Sequence, residues 1–175
     1  MTYTPPYVAQ AGSLIRASDH NLYFGENIAH LYDNLPTRAT MWHDEATVTA
    51  GNALTTAVGS THPYNFWAFQ SAAQDGDTFT HNFVVGEGTY TLYILGRHYT
   101  SAGRVDWYVD DVLVASAQDW YAGNTAPNIT KTVADIVIAE GGWHVLKGVV
   151  NGKNGSSSGY ILQLTKYWLK QASDT

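Results

Sequence analysis

Gly103-Arg104-Val105-Asp106-Trp107-Tyr108-Val109-Asp110-Asp111-Val112-Leu113-Val114-Ala115-Ser116 is the stretch on which the fold turns. Val105, Trp107 and Val109 recur at every second residue with Asp106 and Tyr108 between them, the period of a strand that shows one face to a core. A second β-branched run begins at Val112. Two acidic residues between such runs mark a tight turn, a weaker signal than Asp-Gly because neither supplies glycine's left-handed freedom. The stretch therefore predicts a hairpin of Arg104 to Val109 and Val112 to Ser116, with Val105, Trp107 and Val109 inward and Asp106 and Tyr108 outward.

The same pattern extends to both sides. Thr78 to Val85 places Phe79, Phe83 and Val85 on one face, opposite Thr80 and Asn82. Thr89 to Tyr99 is apolar on both faces, with Tyr90, Leu92 and Ile94 on one and Tyr93 and Leu95 on the other, as in a central strand. Phe66 to Phe69, Thr130 to Ala139, Trp143 to Val150 and Tyr160 to Leu169 complete the set. Turns fall at Gln74-Asp75-Gly76-Asp77, Gly86-Glu87-Gly88 and Glu140-Gly141-Gly142, and loops at Gln118 to Asn128 and Asn151 to Gly159, the latter read as flexible. Between Pro36 and Asn65 the chain is transitional, with short strands expected at Glu45 to Ala50 and Ala53 to Gly59 around Gly51-Asn52. No interval supplies a crossover helix, so the expected fold is all-β, an antiparallel β-sandwich or jelly roll.

An extended N-terminal arm and one short helix precede it. Pro5-Pro6 keeps the first 13 residues extended. Ser18 is a helix N-cap, Asp19 sits in the first turn, and Pro36 stops the helix. Asn21, Phe24, Ile28, Leu31 and Leu35 have the spacing of a coiled-coil seam, which serves either oligomerisation or packing on the chain's own domain. The expected domains are thus 1–35, arm and oligomerisation or anchoring helix, and 36–175, the β-sandwich.

Composition narrows the function. Of 175 residues only 14% are charged, well below the usual quarter or so, and nine Lys and Arg face 15 Asp and Glu for a net charge of −6. The cations are scattered along the sequence, so the clustered charge that a phosphate backbone requires is not expected, and nucleic acid is not an expected partner. There are no cysteines, which removes disulfides and thiolate chemistry. The first residues lack a charged patch followed by an apolar run, so no secretory signal is expected. The apolar runs are strand-sized, so neither is a membrane span or membrane insertion.

No catalytic constellation stands out. There is no Gly-x-Ser-x-Gly elbow, Glu26 lies on the helix, and Glu87 and Glu140 sit in glycine turns where solvation is the ordinary role. The seven histidines show no compact ligand spacing. The chain is expected to be no enzyme and to carry no cofactor, with structural calcium at Asp75 and Asp77 or at Asp110 and Asp111 weighed against plain turn chemistry. Six Trp and 12 Tyr are the unusual feature. Trp107, Trp143 and Trp168, in alternating strands, read as core. Tyr99, Trp120 and Tyr121, beside Asp119 and Asn124 in loops, read as an exposed contact for a glycan or a protein.

Two stretches resemble known families. Ala11-Gly12-Ser13-Leu14-Ile15-Arg16-Ala17-Ser18-Asp19-His20-Asn21, leading to Asn27-Ile28 and Leu31, resembles the N-terminal segment of tailed-phage structural proteins. Gly88 to Leu169, through Gly103 to Asp111, Gly141-Gly142-Trp143-His144-Val145-Leu146 and Ser157-Ser158-Gly159-Tyr160, resembles the carbohydrate-binding jelly roll, with Asp110-Asp111 where Asp-Gly is commoner. Together the resemblances imply a virion surface protein of capsid-decoration or fibre type, located in the virion among other virion proteins and homo-oligomeric, a trimer being favoured. The alternative is a carbohydrate-binding module or lectin that recognises neutral glycans through exposed aromatic residues.

Overall fold

The computed structural model describes residues 35–42, 46–51, 54–57, 66–69 and 73–174. The N-terminal arm and the helix expected over 18–35, with Asn21, Phe24, Ile28 and Leu31, lie outside them apart from Leu35. Eleven strands are described: β1 (Arg38–Trp42), β2 (Thr47–Ala50), β3 (Leu54–Ala57), β4 (Phe66–Phe69), β5 (Thr78–Val85), β6 (Gly88–His98), β7 (Gly103–Val109), β8 (Val112–Asp119), β9 (Ala126–Ile138), β10 (Gly142–Lys153) and β11 (Leu162–Gln171). All pair antiparallel in two sheets. The first sheet has the order β3-β4-β11-β6-β9, with β1 also along β11, and the second has the order β2-β5-β10-β7-β8. The chain is an all-β antiparallel sandwich, and the described residues contain no helix.

Alternation decides which side chains meet between the sheets. Phe79, Phe83 and Val85 on β5, Val105, Trp107 and Val109 on β7, and Leu146 and Val150 on β10 are buried from one side. Tyr90, Leu92 and Ile94 on β6, Val133, Ile136 and Ile138 on β9, and Leu164, Tyr167 and Leu169 on β11 are buried from the other. The layers join through aromatic rings: Tyr167 of the first sheet lies 5.5 Å from Trp107, T-shaped, and 6.1 Å from Phe79, stacked, while Trp107 meets Phe79 edge-on within the second sheet at 5.8 Å. Each such side chain contributes about 1.5–3 kcal/mol when fully buried, and the edge-to-face contacts fix their relative positions. Gly148, the register partner of Phe79, leaves room for that ring, because a Cβ there would fall 2.3 Å from Phe79 Cζ.

The hairpin that decided the reading is present, with β8 running on to Asp119. Asp110 and Asp111 both take positive φ, 48° and 64°, as a two-residue turn between twisted strands requires. Contacts to β10 offset the strain: Asp110 Oδ1 accepts the Val145 amide at 2.9 Å, and the Asp110 amide donates to the Val145 carbonyl at 3.0 Å. Lys147 Nζ pairs with the Asp111 carboxylate.

Two core expectations, Trp143 and Trp168, are corrected. Trp143 is 78% exposed, because inward Leu146, Gly148 and Val150 turn the odd-numbered residues of β10 to the outside. Trp168 is half-buried on the outer face of the first sheet, stacked on Tyr93 with centroids 5.1 Å apart and planes 4° from parallel.

Candidate functional site

At one end of the sandwich the loops after β6, β8 and β10 come together. Tyr99 and Tyr121 form a parallel backbone bridge, and Ala102 bridges Ile161 in the same sense. Both tyrosines are half-buried, as is Tyr160. A cation stands over each of two rings: Arg97 is 5.3 Å from the Tyr99 centroid and Lys153 is 5.1 Å from that of Tyr160. Such contacts hold long side chains in place at about 0.5–1 kcal/mol each when exposed.

Asp119 ties these loops together. Its Oδ2 accepts from Asn154 Nδ2 at 2.7 Å and from Arg104 Nε at 3.4 Å, and its Oδ1 accepts from the Tyr121 amide at 2.9 Å. Burial alone would raise its pKa, but the hydrogen bonds from Asn154, Tyr121 and Arg104 prevail and lower it. It is thus a fixed anion at neutral pH. Asn154 also caps its own loop, its Oδ1 accepting from the Ser156 amide at 3.0 Å. Ser157 Oγ donates to the Ala102 carbonyl at 2.8 Å, and the hydroxyls of Ser101 and Ser158 meet at 2.7 Å. The loop expected to be flexible is therefore pinned at several points, and β10 extends into it as far as Lys153.

Of the residues expected to form an exposed contact, the structure brings Tyr99, Asp119 and Tyr121 together and leaves Asn124 exposed nearby in the loop. Trp120 is a correction, being fully buried. Its amide donates to the Gly103 carbonyl and its carbonyl accepts from the Tyr99 amide, both at 3.2 Å, which folds the loop back over the core end. The ring enters because position 96 is glycine: a Cβ there would lie 2.8 Å from Trp120 Cζ3. Lys131 Nζ covers the ring at 5.3 Å, and burial lowers the Lys131 pKa despite the Asp119 charge. Tyr160, Arg97, Arg104, Lys131, Lys153 and Asn154 were not singled out in the sequence. They lie on four different strands and the loop between β10 and β11, so no local spacing relates them. The basic residues that are scattered along the chain are thus partly gathered here by the fold.

No catalytic constellation is assembled among the described residues. Glu87 and Glu140 are exposed, and Asp106 is committed to structural hydrogen bonds with Ala117 and Asn151. The described residues hold no group of three or more His, Asp or Glu placed for a metal. The two aspartate pairs considered for calcium are engaged in turn and strand contacts. Asp75 Oδ1 accepts the Gly152 amide at 2.6 Å and Asp77 Oδ2 the Gln74 amide at 3.0 Å, while Asp110 and Asp111 engage Val145, His144 and Lys147. Their oxygens serve as turn acceptors, one or two at a time, where calcium wants six to eight converging ligands. Among the described residues no helix is long and apolar enough to cross a membrane.

No protein-family model matches the chain, and no curated protein does either. Solved structures do. A xanthan lyase from Paenibacillus superposes with a TM-score of 0.66 at 20% identity over 79% of this chain, which spans only 13% of that enzyme's length. The CBM36-1 domain of a multidomain xylanase from the hindgut metagenome of Trinervitermes trinervoides matches with a TM-score of 0.54 at 13% identity, over 78% of this chain and 98% of that one. A family 36 carbohydrate-binding module solved with calcium and xylotriose gives a TM-score of 0.51 at 13% identity, over 74% and 97%.

The fold is that of carbohydrate-binding modules. This likeness corrects the virion reading: the structures that superpose on this chain include a xanthan lyase and carbohydrate-binding modules. The phage-like segment lies in the first 35 residues, which are outside the described ones apart from Leu35.

Proposed function

We propose that this chain is a glycan-binding module and that the rim around the Tyr99–Tyr121 bridge is its sugar-contacting surface. The observation that carries the reading is the joining of two half-exposed tyrosines to a fixed set of hydrogen-bonding side chains, Asp119, Asn154, Arg104 and Ser101. Aromatic faces pack against the C–H faces of a pyranose, and anchored amide, carboxylate and hydroxyl groups select its hydroxyls. The loops are held before any ligand arrives, so little ordering entropy is lost on binding. The shared fold with carbohydrate-binding modules supports the same reading.

Four cations, Arg97, Arg104, Lys131 and Lys153, lie about this rim with the Asp119 carboxylate among them and that of Asp75 on the Gly152 amide beside Lys153, in a chain of net charge −6. That local excess favours a glycan bearing carboxylates over the neutral one that composition alone points to. Isothermal titration with xylo-oligosaccharides and with oligogalacturonates tests both statements. Binding that weakens at least about tenfold in Tyr121→Ala, with the acidic ligand preferred, is expected. Equal binding by the variant, or no binding of any glycan in a broad panel, overturns the reading.

Calcium has no part in this proposal at the Asp75–Asp77 or Asp110–Asp111 turns. A calcium-dependent rise in melting temperature that disappears in Asp75→Asn or Asp111→Asn overturns that statement.

A further inference from the structure

Trp143 is the most open of the exposed large hydrophobic side chains among the described residues, at 78%. It stands at a groove of about 660 Å3 between the start of β8, at 112–114, and the end of β9, at 134–140. That volume falls within the range of about 300–1,000 Å3 usual for ligand clefts. The tyrosine rim is built at the ends of β6 and β8 and the start of β7, whereas the groove takes in the end of β7 and the starts of β8 and β10. The two therefore occupy opposite ends of the sandwich.

Their charges are opposite as well. Asp110, Asp135 and Glu140 line the groove, with no lysine or arginine among the lining residues. Asp110 is committed to the Val145 amide at 2.9 Å and to His144 Nδ1 at 2.7 Å, which leaves Asp135 and Glu140, both exposed, as the open carboxylates. Lys147 stands outside the lining, paired with Asp111 and 4.6 Å from the Tyr108 centroid, and Lys131 lies over Trp120 towards the rim. Neither is placed to neutralise the groove, so it favours a cationic ligand by the same argument that turns the rim towards an anionic one.

An added peptide strand does not suit this cleft. β8 and β9 are the outermost strands of their sheets, yet both are irregular beside the groove. The pairing of β9 with β6 shifts between Val133 and Ile136, where Asp135 has a φ of 58°, and that of β8 with β7 shifts between Leu113 and Ala115. Such bulges break the regular ladder that strand addition needs. A ligand here is held by side chains instead. The open indole of Trp143 offers an apolar face to the C–H side of a pyranose ring, and its π-face also attracts cations.

We propose that the groove is a second glycan site, for an amino sugar whose amine is free and protonated, with the sugar ring on Trp143 and the ammonium group at Asp135 and Glu140. It does not rest on the rim. A charge-assisted hydrogen bond from an ammonium to a carboxylate is among the stronger polar contacts, and an N-acetylated sugar keeps the ring while losing that charge.

Isothermal titration of the full chain with glucosamine oligomers, at a mildly acidic pH that keeps their amines protonated, tests the proposal. N-acetylglucosamine oligomers of the same length and a lysine peptide of equal charge are the comparisons. The glucosamine oligomer is expected to bind at least about tenfold more tightly than either, and to weaken at least about tenfold in Trp143→Ala and in Asp135→Asn plus Glu140→Gln. All three positions are exposed, and an unchanged melting temperature confirms that the variants fold. Tyr121→Ala is expected to bind the glucosamine oligomer as the wild type does. No binding by the wild type overturns the proposal, as does equal binding of the N-acetylated oligomer. A lysine peptide that binds as tightly overturns it by making the groove a site for basic peptides. Loss in Tyr121→Ala with none in Trp143→Ala overturns it by moving the sugar to the rim. The rim is tested with acidic glycans and Tyr121, so either reading can fail without the other.

Discussion

Asn151 Nδ2 donates to Asp106 Oδ2 at 2.6 Å across 45 residues of sequence, fastening the end of β10 to β7. The other oxygen of Asp106 accepts the Ala117 amide, also at 2.6 Å, where the backbone of β8 has a positive φ of 48°. One carboxylate thus satisfies an irregular residue on one neighbouring strand and a side chain on the other, and it is itself buried. Asp106→Ala removes the acceptor from both donors and is expected to lower the unfolding free energy by about 2–3 kcal/mol. Asp106→Asn, which keeps an acceptor for Ala117, is expected to lose less than half of that. Urea denaturation of the two variants beside the wild type measures it.

His81 is buried between Phe79 and Tyr167, with ring centroids at 6.1 and 4.9 Å. Burial lowers its pKa to about 4, against about 6.5 in the unfolded chain. Between these values the unfolded state binds more protons, so stability is fully present above about pH 6.5 and is lost as pH falls towards 4, by about 3 kcal/mol in total. His98, lowered by burial and by the Lys131 charge, adds to the same slope. Unfolding free energies at pH 7.5 and 5 are expected to differ clearly in the wild type and less in His81→Leu. Equal differences in the two proteins would refute the assignment.

Trp120 and Trp143 are expected to respond in opposite ways to truncation. Trp120→Ala opens a cavity at the core end and is expected to cost about 3–5 kcal/mol. Trp143→Ala removes an exposed ring and is expected to change the stability of the isolated fold by less than about 0.5 kcal/mol. Thermal melts of both, at a concentration where the assembly state is the same, distinguish them.

Gly96 faces the Trp120 ring and the Gln163 carbonyl, and a Cβ there would lie 2.7 Å from that carbonyl oxygen. Backbone on one side and a fully buried indole on the other leave neither free to yield. Gly96→Ala is expected to destabilise by about 1–3 kcal/mol and to weaken glycan binding as well, because Trp120 supports the loop that carries Tyr121. A melt and a titration on the same variant check both.

Strand positions and inward faces were legible because alternation is a local property. Thr78 to Val85 could be assigned from its own residues, and its pattern of buried and open positions follows from the pleat. β1 escaped notice because Arg38-Ala39-Thr40-Met41-Trp42 has little alternation of its own and is a strand only through its pairing with β11. Trp120 shows the limit for the site. Its neighbours in sequence, Asp119 and Tyr121, are polar and loop-like, and nothing near it announces that Gly96 on another strand has left a slot for its ring.

Sequence alone determined that this chain is all-β, that Asp110-Asp111 turns a hairpin, and that Phe79, Trp107 and Leu92 face a core. These follow from period, turn chemistry and apolar content, which act over a few residues. Tertiary structure alone decided that Trp120 is inside and Trp143 outside, that four cations scattered in sequence meet beside Tyr99 and Tyr121, and that the exposed apolar residues gather where Leu35 enters. Each of these depends on which strands lie side by side, and pairing register is set by the summed packing of the two sheets, which no local window contains.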